Sequence, residues 1–137
     1  MTAFFSVGSK AAGFVALMTL IFVGFPGASD VVEPLVWVMA ALTMTIGNVL
    51  ALRQTNIVRL LAYSSVSQGG FILMPLAFVG SVGSEAMNAV MVYLLVYAFM
   101  NLGAFAVVIA VSRKTHSGEI SSFGGLFGYA PGLAVAA

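Results

Sequence analysis

Apolar residues run along this chain in long blocks, separated by short clusters of polar and turn-forming residues. Four blocks, residues 3–25, 35–52, 60–80 and 86–111, approach the length of about 20 residues that a helix needs to cross a hydrocarbon core about 30 Å thick. A fifth block opens at Pro131 and reaches only to Ala137, too short to cross. The connections hold Pro26-Gly27, Asp30 and Glu33-Pro34, then residues 53–59, 81–85 and 112–130, with the punctuation expected of loops. The pattern predicts an all-α polytopic transmembrane helix bundle. It forms a single membrane domain over 1–137, with about four full spans and the start of another at 131–137.

Composition supports this reading. Hydrophobic residues make up 61% of the 137 and charged residues 7%, with a mean hydropathy of +1.12. A soluble domain carries about 25% charged residues, so the solvent for this surface is lipid. A net charge of +1, from 5 basic and 4 acidic residues, argues against a nucleic-acid partner. The absence of cysteine excludes disulfides, thiolate metal sites and cysteine catalysis. His116 lies in a polar loop beside Arg113 and Lys114 and is expected to be solvated. Lys10 follows Ala3-Phe4-Phe5 and precedes the run 11–25, an order unlike a secretory signal, so the first block is expected to stay in the mature chain.

The loop charges alternate. Asp30 and Glu33 follow the first block, Arg53 and Arg59 the second, Glu85 the third, and Arg113 with Lys114 the fourth. Short loops rich in lysine and arginine stay in the cytoplasm, which predicts that the first span begins on the cytoplasmic side. Among 15 glycines, Gly69-Gly70 and Gly103-Ala104 are expected to let helices approach closely. Pro75, inside the third block, should kink its helix.

One full charge falls deep within a block. At 1.5 Å per residue, Lys10 lies about 12 Å along a helix that starts near Thr2, where an ammonium costs about 2.5–3.5 kcal/mol on insertion scales. It could snorkel to the interface, but Ala3, Ser6, Lys10 and Gly13 form a small or polar stripe, suited to a bundle interior. An ammonium taken out of water loses hydration, so its two protonation states draw closer in energy and it can relay protons. Further polar candidates are Ser64 and Gln68, four apart, then Tyr93, Tyr97 and Asn101, and Thr45 with Asn48. Each suits either interhelical hydrogen bonding or a file of water. There is no phosphate-binding loop, dinucleotide glycine fingerprint or metal-ligand cluster.

The run from Gly47-Asn48-Val49-Leu50-Ala51-Leu52-Arg53-Gln54-Thr55-Asn56 to Ile57-Val58-Arg59-Leu60-Leu61-Ala62-Tyr63-Ser64-Ser65 resembles a known family. So do Ser9-Lys10-Ala11-Ala12-Gly13-Phe14 and the stretch 93–105 with Asn101-Leu102-Gly103-Ala104-Phe105. They are similar to subunit N of proton-translocating NADH-quinone oxidoreductase (respiratory complex I), an antiporter-like membrane subunit. Asn56, where the sister subunits usually carry an acid, favours the N type, and Gln68 replaces a histidine of several relatives. The resemblance implies a bundle of about fourteen helices with two inverted repeats, of which this chain matches the eighth to eleventh and the start of the twelfth. Relatives read Val-Thr-Ala-Phe where this chain reads Met1-Thr2-Ala3-Phe4, which implies a fragment or a split gene product, inactive by itself.

By the same resemblance Lys10 is the eighth-helix lysine of a hydrophilic axis. The axis's fifth-helix glutamate and seventh-helix lysine would precede Met1, and its twelfth-helix lysine would follow Ala137. The implied role is proton translocation in the membrane arm of a bacterial inner-membrane enzyme, coupled to electron transfer from NADH to quinone through a buried lysine relay. This chain would hold no cofactor. NAD, flavin, iron–sulfur clusters and quinone belong to other subunits, and its partners are other membrane subunits, the lipid bilayer and, only indirectly, quinone. The alternatives are a subunit of a cation/proton antiporter or membrane-bound hydrogenase, and a small standalone membrane scaffold or transporter. Against the last, none of the four acids lies mid-span.

Overall fold

The computed structural model describes residues 2–25 and 27–136, without the side chains of 2–6, 129, 133 and 136. The expectations for the side chains of Ala3 and Ser6, for a turn at Pro26, and for Met1 and Ala137 therefore fall outside the described residues.

Helix α1 (Thr2–Thr19) continues into one wide turn, Leu20–Gly24, where the Phe25 N–H reaches back five residues to the Leu20 carbonyl at 3.1 Å. Then come α2 (Ser29–Leu52), α3 (Ile57–Leu73), a 3-10 segment (Met74–Phe78), α4 (Val79–Val82) and α5 (Ser84–Thr115). A second 3-10 turn (Ile120–Phe123) leads to α6 (Leu126–Tyr129) and α7 (Pro131–Ala136). Four helical stretches, Val7–Gly24, Ser29–Leu52, Ile57–Val82 and Ser84–Thr115, are long and apolar enough to cross a membrane. The architecture is an all-α membrane bundle.

Two span boundaries differ from the expectation, and both have a local cause. Asp30, Glu33 and Pro34 lie within α2 rather than in the preceding connection. Asp30 sits in its first turn, where a carboxylate complements the positive helix end, whereas Pro34 lies inside the helix with no N–H to give to the Asp30 carbonyl. Helix α5 likewise extends to Thr115, taking Arg113 and Lys114 into its last turn, where cations complement the negative end. His116 then stops it in the left-handed conformation, φ 53°, with its N–H on the Ser112 carbonyl at 2.8 Å. Its side chain is exposed. In the third span the expected break occurs. Pro75 has no N–H to give, and the chain tightens into the 3-10 segment at Met74–Phe78.

Close packing concentrates between α2 and α3. A Cβ built on Gly47 would lie 2.7 Å from the Ser67 nitrogen, and one on Gly70 would lie 2.9 Å from the Ala40 oxygen and the Met44 nitrogen. Gly70 thus does what the Gly69-Gly70 pair suggested. Gly103 does not, since nothing lies within 4 Å of its built Cβ, because it faces outward on α5. Two apolar clusters lie at different levels. Met18, Ile21, Val36, Ile72, Leu76, Ala77 and Val90 form the larger, while Val111, Leu126 and Ala130 form the smaller. Large apolar side chains such as Leu42, Val92 and Phe99 point outward, as a lipid-facing surface permits.

Each end of the bundle is tied by hydrogen bonds from backbone N–H groups. At the basic end three of the donors that open α3 without a partner inside the helix are met, and the first helical bond follows them. The Ile57 N–H bonds to the Gly118 carbonyl (2.9 Å) and the Leu60 N–H to the Asn56 carbonyl (3.0 Å). The Val58 and Arg59 N–H groups bond to Asn56 Oδ1 at 3.0 and 3.3 Å. The Ile120 N–H to the Thr55 carbonyl (2.9 Å) completes the link between the two connections. At the acidic end Glu33 Oε1 accepts from the Gly80 N–H, fastening the broken third span to α2.

Gly70→Val should lower the stability of the bundle in detergent by about 1–3 kcal/mol or more, because its new atoms meet backbone that cannot swing aside. Asn56→Ala should cost about 1 kcal/mol through loss of the cap. Denaturant unfolding followed by tryptophan fluorescence checks both, with Gly103→Val as the near-neutral control.

Candidate functional site

A level of polar side chains separates the two apolar clusters. Lys10 comes from α1, Ser65, Ser67 and Gln68 from α3, and Tyr93, Tyr97 and Asn101 from α5. The lysine is half-buried. Its Nζ donates to the Ser65 carbonyl and, at 2.8 Å, to Ser65 Oγ. Ser65 Oγ in turn donates to the Ala62 carbonyl at 2.9 Å, leaving its lone pairs free to accept from the ammonium. Ser65 lies about 12 Å along α3 from Ile57 at 1.5 Å per residue, the same depth as Lys10 on α1. The side chain therefore reaches across to α3 rather than back toward the helix end, against the snorkelling alternative.

The Tyr97 ring lies on a second side of the ammonium, 5.8 Å from Nζ to its centroid. That is near the outer limit of cation–π attraction. Tyr97 is 2% exposed, and its hydroxyl faces the Ser65 side chain closely enough to interact with it, though not with the geometry of a full hydrogen bond. One turn toward the acidic end the Tyr93 hydroxyl donates to Gln68 Oε1. One turn the other way Asn101 is buried, 5% exposed. No acidic side chain pairs with Lys10 among the described residues, and no group there of three His, Cys, Asp or Glu could hold a metal.

The candidates from sequence divide accordingly. Lys10, Gln68, Tyr93, Tyr97 and Asn101 share this level. Ser64 is half-buried on α3, but its neighbour Ser65 is the residue that meets the lysine. The Ser6 side chain lies outside the described residues. Gly13, expected on the interior stripe, is exposed with open space around it. The face of α1 that enters the bundle instead continues through Phe14, Leu17, Met18 and Ile21, an apolar continuation better suited to the larger cluster. Thr45 is exposed and bonds its own helix at the Ala41 carbonyl (2.8 Å), and Asn48 is exposed, so the polar pair of α2 stays outside the site. Sequence reasoning missed Ser65, while Ser67 packs against Gly47 of α2. Three serines within four residues gave no periodic signal to choose among them; the packing of α2 on α3 and the reach of Lys10 to Ser65 make the choice.

Ser65→Ala should remove one of two bonds to the ammonium and lower stability on the order of 1 kcal/mol, as for a charged hydrogen bond at a half-exposed site. Ser64→Ala should change it by less than about 0.5 kcal/mol. Equal effects in thermal unfolding would contradict the assignment of Ser65.

All of residues 1–137 match the family model described as NADH:quinone oxidoreductase/Mrp antiporter, TM. The chain is 44% identical over 137 residues, 99% of its length, to NADH-quinone oxidoreductase subunit N of Trichlorobacter lovleyi. It is 48% identical over 93% of its length to NAD(P)H-quinone oxidoreductase subunit 2 of Thermosynechococcus vestitus. It is 46% identical over 96% of its length to subunit N of Desulforamulus reducens. The chain spans 28%, 24% and 27% of the lengths of these three relatives.

Proposed function

The chain belongs to the NADH:quinone oxidoreductase/Mrp antiporter transmembrane family, and from that premise we propose that it forms a proton-relay section of an N-type membrane subunit of NADH-quinone oxidoreductase. The observation that carries the reading is Lys10, an ammonium about 12 Å along its helix, held by Ser65 of a neighbouring span. A group so placed can be loaded and unloaded with a proton at modest energetic cost, because lost hydration offsets part of the preference for the charged form. Its charge also acts over several ångströms in a medium that screens poorly, so one protonation can drive the next.

In this role the section does no redox chemistry. NAD, flavin, iron–sulfur clusters and quinone act in other subunits, and the described residues offer Lys10, Gln68, Tyr93, Tyr97 and Asn101 as groups along a path, with Ser65 as the anchor of the lysine. The basic end bearing Arg53, Arg59, Arg113 and Lys114 faces the cytoplasm of a bacterial inner membrane, and the acidic end faces outward. The outward apolar surfaces meet lipid and further membrane helices of the complex. A cation/proton antiporter subunit is the second reading, since the family description spans both. The names of the relatives favour the oxidoreductase.

Lys10→Ala in the full-length subunit, assembled in its complex and reconstituted in vesicles, should reduce NADH-driven proton uptake by at least about ten-fold, as expected for loss of a proton-transfer group. Unchanged uptake at normal assembly would refute the relay.

A further inference from the structure

The third span is broken on the acidic side of the polar level, and the break carries part of the larger apolar cluster. Pro75 leaves the chain in the 3-10 segment Met74–Phe78. Its Leu76 and Ala77 are buried in that cluster, with Met18 and Ile21 of the first span, Val36 of α2 and Val90 of α5. Seen from Lys10, Ser65 and Tyr97, all of these lie toward the acidic end. A closed apolar constriction of this kind excludes water, so the cluster can insulate the polar level from that end.

The movable wall of the insulation is held by one side chain. Beyond the break α4 is a single turn, Val79–Val82, with non-helical residues on both sides: Phe78 (φ −126°, ψ 24°) and Gly83 (φ 54°, ψ −127°). The Gly80 N–H is among the donors that a helix start leaves unmet, and Glu33 Oε1, on a half-buried residue of α2, accepts from it. A Cβ on Gly80 would stand 2.8 Å from that oxygen and 3.1 Å from Ser29 Cβ, so glycine is what lets the carboxylate reach the backbone. Across from this tie lies the wide turn of the first span, Leu20–Gly24. Between them is a cavity of about 220 Å³, lined in part by Ile21, Phe22, Ser29, Val32, Val79 and Gly80. It gives α4 room to swing once the carboxylate lets go.

We propose that Glu33 is a latch: its bond to Gly80 keeps the broken third span closed, so that the apolar cluster seals the polar level from the acidic end, and release of the bond opens the seal. The inference rests on the relay reading of Lys10 and adds a positioning residue remote from it. Glu33 touches none of the polar groups of the site and acts through Gly80 on Leu76 and Ala77. One charge-assisted bond is strong enough to favour a single position of a four-residue turn. It is also weak enough to break and re-form while the rest of the bundle stays folded.

The test is passive proton leak, without NADH, in vesicles carrying the assembled complex with the full-length subunit as parent, Glu33→Ala, Glu33→Gln or Gly80→Ala. An imposed pH difference should decay about ten-fold faster with Glu33→Ala, the shift in open population expected on losing a hydrogen bond to a charged group. Gly80→Ala, whose methyl displaces the carboxylate, should leak likewise. Glu33→Gln keeps an acceptor oxygen for the Gly80 N–H and should bring the leak back toward that of the parent. Parental leak in both alanine variants overturns the latch, and so does a glutamine variant that leaks as fast as Glu33→Ala. The relay is judged separately, by NADH-driven uptake in Lys10→Ala, so either reading can fail while the other stands. Should the alanine variants not assemble, amide hydrogen exchange in the parent complex decides. Residues 79–82 should exchange far more slowly than an unstructured peptide, and exchange at the peptide rate overturns the latch.

Discussion

An ammonium inside a bundle surrounded by hydrocarbon must find oxygen atoms on a neighbouring helix, because no water from bulk is there to replace them. Lys10 meets that demand at a single residue, Ser65, whose carbonyl and hydroxyl both accept from it. The bond joins α1 to α3, two helices whose backbones barely touch. It also places α5 behind the lysine, so that a tyrosine ring rather than an aliphatic side chain closes the site. The two apolar clusters lie at other levels of the same helices and leave this one to polar groups.

Helices in a membrane gain little from hiding apolar surface, so close backbone contact has to supply the association. Gly47 and Gly70 permit it between α2 and α3, where an added methyl would fall within 3 Å of backbone atoms. That pair forms the scaffold that presents Ser65 and Gln68 toward α1 and α5. The two ties at the ends, Asn56 with the 118–120 segment and Glu33 with Gly80, hold the scaffold where helix termini and a broken span would otherwise leave donors unmet. The Glu33 tie is the more unusual, since a carboxylate substitutes for the helical partner that a chain interrupted at Pro75 lacks near Gly80.

Much of this was legible from residues alone, and some particulars show where legibility stopped. Lys10 stood out because a charge in an apolar block is expensive wherever it points. Pro75 stood out because the missing N–H acts locally. Ser65 did not, since Ser64, Ser65 and Ser67 are chemically alike and differ only in the direction they leave the helix. Gly103 looked like a packing glycine and is not, while Gly47, which is, sits in a stretch chosen for another reason.

The sequence by itself determined the class of solvent, the number of spans, the segregation of basic and acidic connections and the identity of the cation that lies deep within a span. These follow from composition and from chemistry local to a few residues, and they hold whichever way the helices pack. Tertiary structure alone decided which serine meets the lysine, that Tyr97 is buried beside it, that Thr45 and Asn48 face away, and that Gly13 leaves the interior. Those outcomes depend on the rotation and height of one helix against another. A rotation of one residue, about 100°, exchanges Ser64 for Ser65 while leaving every apolar block as apolar as before.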